Sequence, residues 1–230
     1  MAAAHSEPDA VLRPSFYIDS DHPSVIRFAK DAAGSETTEP RKAVALFYAV
    51  RDGIRYDPYR IDLSPEAMRA SAALDRGYAF CIPKAVLLAA AARAEGIPSR
   101  LGFADVRNHL TTDRLRRLIQ TDVFVFHGYT EFLLEDRWVK ATPAFNAALC
   151  ERFDVEPLEF DGHSDALLQQ SDRKGNRYME YLRERGHFDD LPLDELRRAF
   201  EEWYPLSASG DVSDLAARFE NDATKEGGLQ

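Results

Sequence analysis

The chain has 230 residues, 45% of them hydrophobic, 30% charged and 11% aromatic. That balance excludes a disordered polymer, and the length suffices for one large domain, or a core with appendages, that buries its interior without disulfide or metal staples. A formal net charge of -10 speaks against a general nucleic-acid binder, and the basic cluster Arg114, Arg116 and Arg117, flanked by Asp113 and Asp122, reads as a solvated helix face.

Residues 1–15 are Ala-, Pro- and polar-rich and read as a loose start. They show no basic opening followed by an apolar run, so no secretory leader is expected. His22-Pro23 before and Gly34 after predict a short helix over 24–33. A polar connection with Pro40 covers 36–41. Val44, Phe47, Tyr48 and Ile54 fall near one helical stripe and predict a helix over 42–52, stopped at Gly53. Pro58 pushes Asp57 out of the helical region, so 54–59 is extended or turned. Ser64 as cap and Pro65 at the first position open a helix that runs to about Leu74 and ends by Gly77.

Past Cys81, residues 85–95 are nearly all Ala, Leu and Val, which predicts a helix buried on almost every side, with Gly96 and Pro98 as its stop. Its apolar run, 85–92, is the longest in the chain and far short of a membrane span. Residues 100–106 look strand-like, and 111–118 form a short polar helix capped by Thr111 or Thr112. The Val-, Phe-, Tyr- and Thr-rich stretch 121–134 predicts a strand, and 138–142 a second, joined through a turn at Glu135-Asp136. After Pro143 the pattern is irregular, with helical readings over 172–186, 194–200 and 213–219 and a polar tail over 222–230. Helices first, then an antiparallel sheet, then peripheral helices make an α+β fold.

Cys81 sits at or beside the start of the buried helix. Unpaired N–H groups and the positive dipole end there favour an anion, so a thiolate gains nucleophilicity and an oxyanion gains donors. The same position suits a small buried hydrophobe. A thiol enzyme needs a base that takes and returns a proton, and His127 in the strand 123–129 supplies one. Strand alternation places His127, Tyr129 and Glu131 on one face, and Gly128 leaves room for close backbone approach. With Glu135-Asp136 as the turn, Glu131 faces Lys140 and Tyr129 faces Thr142. Thr142 then lies diagonally beside His127, in reach of its second ring nitrogen, and a register slip of one residue would undo this.

Four segments carry a family resemblance. Residues 81–101, from Cys81-Ile-Pro-Lys to Arg93-Ala-Glu-Gly-Ile-Pro-Ser-Arg, resemble the nucleophile helix of the transglutaminase-like family. His127-Gly-Tyr-Thr-Glu is similar to its His-Ala-Trp-x-Glu strand, and Trp138-Val-Lys-Ala-Thr-Pro to its Trp-x-x-x-Asp-Pro strand. Residues 45–56 resemble the helix that precedes the core. The resemblance covers roughly residues 15–146. It divides the chain into a loose start at 1–15, a papain/transglutaminase-like core at 16–146, and a mostly helical extension at 147–230 packed on the core. It implies a Cys–His–Asp triad that attacks a carboxamide carbonyl, forms a thioester and passes the acyl group to water or an amine. The catalytic set it implies here is Cys81, His127 and Thr142, with a hydroxyl where the family has a carboxylate. A hydroxyl can fix the imidazole tautomer but supplies no charge to an imidazolium. Asn146 is a second, lower-ranked orienting group. Ala79 stands where the family often has Gly.

The expected substrate is a peptide, protein or small amide, with hydrolysis favoured over cross-linking. The alternative is a non-catalytic binding or scaffold module. No cofactor, metal, nucleic-acid or membrane partner is expected. His163 and His187 lack metal-ligand spacing, Cys150 lacks a nearby Cys or His, and no Gly-rich phosphate loop is present. His109 reads as a loop residue, Tyr78 and Trp138 as core or site walls, and Asp57 and Asp62 as loop caps. Two cysteines make no disulfide framework, so a reducing, cytoplasmic home is the default.

Overall fold

Seven helices and six strands are seen in the computed structural model, which describes residues 10–110, 112–204 and 222. Helix α1 (Pro23–Ala33) starts at His22, whose side chain accepts from the Ser24 N–H. Helix α2 (Glu39–Gly53) begins three residues before the expected point, because Pro40 sits in the first turn, where its missing N–H costs nothing. Strand β1 (Arg55–Tyr56) pairs in parallel with β2 (Tyr78–Ala79).

Between these strands lies α3 (Ala70–Arg76), which corrects the expected helix from Ser64. Residues 64–69 form turns, and Arg69 is extended. Tertiary ties set the true start: the Ala70 N–H donates to the Tyr17 carbonyl, and the Ser71 hydroxyl and N–H both donate to Asp19. Asp57 and Asp62 cap loop turns as expected, accepting from the N–H groups of Tyr59 and Ser64.

Helix α4 (Cys81–Ala94) is the centre of the core, with every residue from Ile82 to Arg93 buried. Its alanines let α1, α2, α3 and the sheet approach closely, which is how a helix becomes apolar all round. The Arg93 side chain, in the last turn, donates to the carbonyls of Ser99, Arg13 and Asp189, tying the segments before α1 and after β6 to the core.

The sheet runs β5–β4–β3–β6, all antiparallel, from β3 (Ser99–Asn108), β4 (Val123–Leu134), β5 (Arg137–Ala141) and β6 (Met179–Phe188). Helix α5 (Asp113–Ile119) joins β3 to β4, capped by the Thr112 hydroxyl on the Leu115 N–H. The β4–β5 hairpin keeps the expected register, Glu131 opposite Lys140. Its two turn residues, Glu135 and Asp136, have φ 50° and 61°, the conformation a two-residue hairpin loop demands.

Helix α6 (Ala147–Arg152) follows, and α7 (Leu193–Trp203) closes the described chain except for Asp222. The helix expected over 172–186 is replaced by β6, which adds an edge strand to the sheet. Its charges are cross-strand partners: Glu184 meets Lys140 and the Tyr129 hydroxyl, and Arg185 meets Asp105. Charge on an edge strand also discourages pairing with another chain. The helix expected over 213–219 lies outside the described residues. Among the described residues, no helix is long and apolar enough to cross a membrane.

Candidate active site

Phe80, extended at φ -87° and ψ -175°, makes Cys81 the first residue of α4, and no side chain caps this helix end. The backbone N–H groups of Gly128, Ile82 and Cys81 itself favour negative charge on the sulfur. Gly128 brings the sheet to this point: a Cβ there would lie 3.2 Å from the Ile82 Cα. Because Gly128 lacks a side chain, β4 can press against the first turn of α4, and the residue next to it, His127, lines the same cavity as Cys81.

Cys81 and His127 line one cavity of about 30 Å³, with Tyr56, Phe80, Phe200 and Tyr204 among its walls. A space of that size holds water and no larger guest. Cys81 keeps part of its surface accessible, while His127 is buried. Burial pushes the Cys81 thiol up to about 11, against the pull of the three N–H groups. Burial likewise pushes the His127 imidazole down to about 4. The helix end was expected to lower the thiol; the apolar walls outweigh it, and the resting pair is neutral thiol and neutral imidazole.

Thr142 is buried beside the end of β5, but no hydrogen bond joins it to His127. The His127 Nε2 and the Thr142 Oγ1 are both buried without a partner. The cause lies in the backbone. Pairing between β4 and β5 ends at Ala141, and the Thr142 N–H turns to the Ala166 carbonyl.

Asn146 has a structural role instead of an orienting one. Its amide donates to the carbonyls of Arg51 and Ile54, and its oxygen accepts from the Tyr56 N–H at 2.7 Å. Lys84, fully buried one turn into α4, donates to the same two carbonyls, and burial holds its ammonium well below the usual lysine range. Together they close the C-terminal end of α2 against the core.

The other sequence candidates lie apart from this cavity's lining. The Trp138 ring stacks under Arg100, with the guanidinium 3.9 Å from the ring centroid, and Arg100 pairs with the buried Glu131. His109 approaches Glu180 at 3.4 Å, and His163 approaches Glu135 at 3.4 Å. Among the described residues no cluster suits a metal ion.

Two further groups complete the site. The first is α7, near the helix expected over 194–200, whose Phe200 walls the cavity together with Tyr204 just past its end. The second is an irregularity in β4. Ala104 pairs with His127 and Val106 with Phe124, so β4 carries one extra residue just before His127, and Phe126 there has φ 55°.

The sequence matches the family model of the transglutaminase-like superfamily over residues 26–143, a little over half the chain. A search of curated proteins finds no match. Among solved structures, the chain is similar to a candidate cysteine protease from Cytophaga hutchinsonii, at 18% identity and a TM-score of 0.50, over 81% of this chain and 48% of that one. A candidate protease from Parabacteroides distasonis ATCC 8503 aligns at 15% identity and a TM-score of 0.39, over 63% of this chain and 28% of that one. The chain thus spans about half the length of the first of these and shares its fold. The α4 start carrying Cys81, the β4 strand carrying His127 and the β5 strand all fall inside the matched residues, and the chain belongs to the transglutaminase-like superfamily.

Proposed function

We propose that the protein is a thiol enzyme acting on amide bonds, with Cys81 as nucleophile and His127 as proton carrier. The observation that carries this reading is the shared cavity at the uncapped end of α4. From a neutral pair, the imidazole takes the thiol proton as sulfur adds to the carbonyl carbon. The N–H groups gathered at the helix end are suited to the oxygen that becomes negative. The imidazolium then returns its proton to the leaving nitrogen as the C–N bond breaks, leaving a thioester. Water, deprotonated by the same imidazole, releases the acid; an amine in its place gives acyl transfer. The substrate is a peptide, a protein or a small amide.

Thr142 is the third member in this proposal. Its hydroxyl has hydrogen-bonding capacity to spare, and so does the His127 Nε2. Thr142→Asp tests it: if residue 142 serves the ring, a carboxylate there should raise the imidazole pKa from about 4 and keep or increase the turnover of amide substrates. A large fall in turnover would mean the site is built around a neutral third residue.

A second reading, a binding or scaffold module, draws on the missing bond between Thr142 and His127 and on the neutral resting pair. The two separate on acyl-enzyme trapping. Incubation with a panel of activated amides and esters, followed by intact mass measurement, should show an adduct on Cys81 that is absent in His127→Ala. Binding without an adduct would favour the module.

A further inference from the structure

The extra residue in β4 leaves the N–H groups of Val125 and Phe126 outside the ladder register between Phe124 and His127. Each finds a side chain. The Val125 N–H donates to the Tyr204 hydroxyl at 2.6 Å, and the Phe126 N–H donates to the Asp105 carboxylate at 3.2 Å. Phe126 holds a left-handed conformation that a bulky residue adopts only when its surroundings enforce it.

Asp105 is 7% exposed and sits in β3 opposite this irregularity. Its own position is fixed from the other side. Strand β6 also carries an extra residue, Arg185, between Gly186, opposite Phe103, and Glu184, opposite Ala104. Gly186 has φ 98°, which glycine tolerates and other residues resist. The Arg185 guanidinium donates to the same Asp105 oxygen that takes the Phe126 N–H, and it lies 4.4 Å from the centroid of the Phe126 ring. Bulges on two strands, β4 and β6, thus meet at one carboxylate on β3 between them, directly before the residue that must reach Cys81. Bulges re-aim side chains, and a residue slip changes which face they use.

We infer that Asp105 is a positioning residue for the proposed reaction: it holds the β4 bulge through the Phe126 N–H and so aims His127 at Cys81. This rests on the Cys–His reading above. It acts through the backbone, by hydrogen-bond geometry, and its charge serves to keep Arg185 in place.

The test compares Asp105→Asn with Asp105→Glu. Asn keeps an acceptor oxygen at the same reach and loses the charge; Glu keeps the charge and moves the acceptor. The readouts are the rate of Cys81 alkylation with and without the His127→Ala change, the NMR titration of the His127 ring, and thermal unfolding. First, the parent protein must show Cys81 reactivity that depends on His127; if it does not, the Cys–His reading falls and Asp105 has nothing to position. Given that dependence, Asp105→Asn should stay within about threefold of the parent, and Asp105→Glu should lose about tenfold or more, with altered His127 ring shifts, as expected when a reacting group is displaced by about an ångström. Any other ordering overturns the inference: Asn at or below Glu, or neither differing from the parent while the pair itself works. A thermal midpoint that moves equally in both variants, with the reactivity difference intact, separates positioning from plain stability.

Discussion

Cys81 and Cys150 make an instructive pair. Burial pushes both thiols up, to about 11 and about 12, and both sit in short reach of a helix start: Cys81 is the first residue of α4, Cys150 the fourth of α6. Around Cys150 stand Val155, Tyr178 and Met179 in a small apolar cluster, with the Gln169 amide 3.7 Å from the sulfur. Around Cys81 stand three N–H groups that favour negative charge, an imidazole and a cavity. Neither thiol is acidic at rest, so acidity does not set the two apart. The neighbours that can take a proton and receive a negative oxygen do.

The comparison can be broken in several ways. The largest effect is expected from Cys81→Ala, which should abolish turnover and acyl-enzyme formation while leaving the far-UV dichroism and thermal midpoint close to the parent's. Cys150→Ala should leave turnover intact. Loss of folding in Cys81→Ala with normal folding in Cys150→Ala would reverse the two roles.

Asn146→Ala comes next. It removes three buried hydrogen bonds at the α2 end and should cost about 1–3 kcal/mol of stability in denaturant unfolding, the usual penalty for orphaned buried groups. The His127-dependence of Cys81 alkylation should survive in the folded fraction, because Asn146 does not touch the ring. Loss of that dependence would restore Asn146 as an orienting residue.

Gly128→Ala is a finer probe. The added methyl meets the Ile82 backbone at 3.2 Å, so strand and helix must separate by a few tenths of an ångström. Overpacking of this kind costs roughly 1 kcal/mol or more. Turnover should fall more than stability, since the same shift moves His127 from Cys81. Stability lost with turnover unchanged would show that the close approach serves packing alone.

The smallest effect is the pH dependence of folding. The Cys81 thiol is raised from 9 to about 11, so its contribution is complete below about 9 and lost as pH rises through 11. The His127 imidazole is lowered from 6.5 to about 4, so its contribution is complete above 6.5 and lost as pH falls through 4. Between those limits both are flat. Cys81→Ala should soften the alkaline fall and His127→Ala the acid one; unchanged slopes in urea midpoints across pH would contradict the buried neutral pair.

The core of the fold was legible because its residues repeat short-range rules. An Ala- and Leu-rich run can only be a buried helix, and a Val- and Phe-rich stretch with a two-residue acidic turn can only be a hairpin. The pairing of Cys81 with His127 came from the resemblance of residues 81–101 and 127–131 to the family's nucleophile helix and histidine strand, with Gly128 leaving room for close backbone approach. The rest depended on long-range contacts. Arg183, Glu184 and Arg185 look like a helix's wet face until Asp105 and Lys140 are known to lie beside them. Thr142 was expected opposite Tyr129, yet the β4–β5 ladder ends at Ala141, Ala166 takes the Thr142 N–H, and the hydroxyl stays unjoined to His127. Tyr204 reaches the Val125 N–H across 79 residues of sequence, a distance over which spacing carries no information.

The most direct test of the Cys81–His127 pair is site-resolved alkylation of both cysteines across pH, in the parent and in His127→Ala. The pair predicts that Cys81 reacts faster than Cys150 at neutral pH and falls to the Cys150 rate when His127 is removed. Equal rates at the two cysteines, or a Cys81 rate indifferent to His127→Ala, would contradict it.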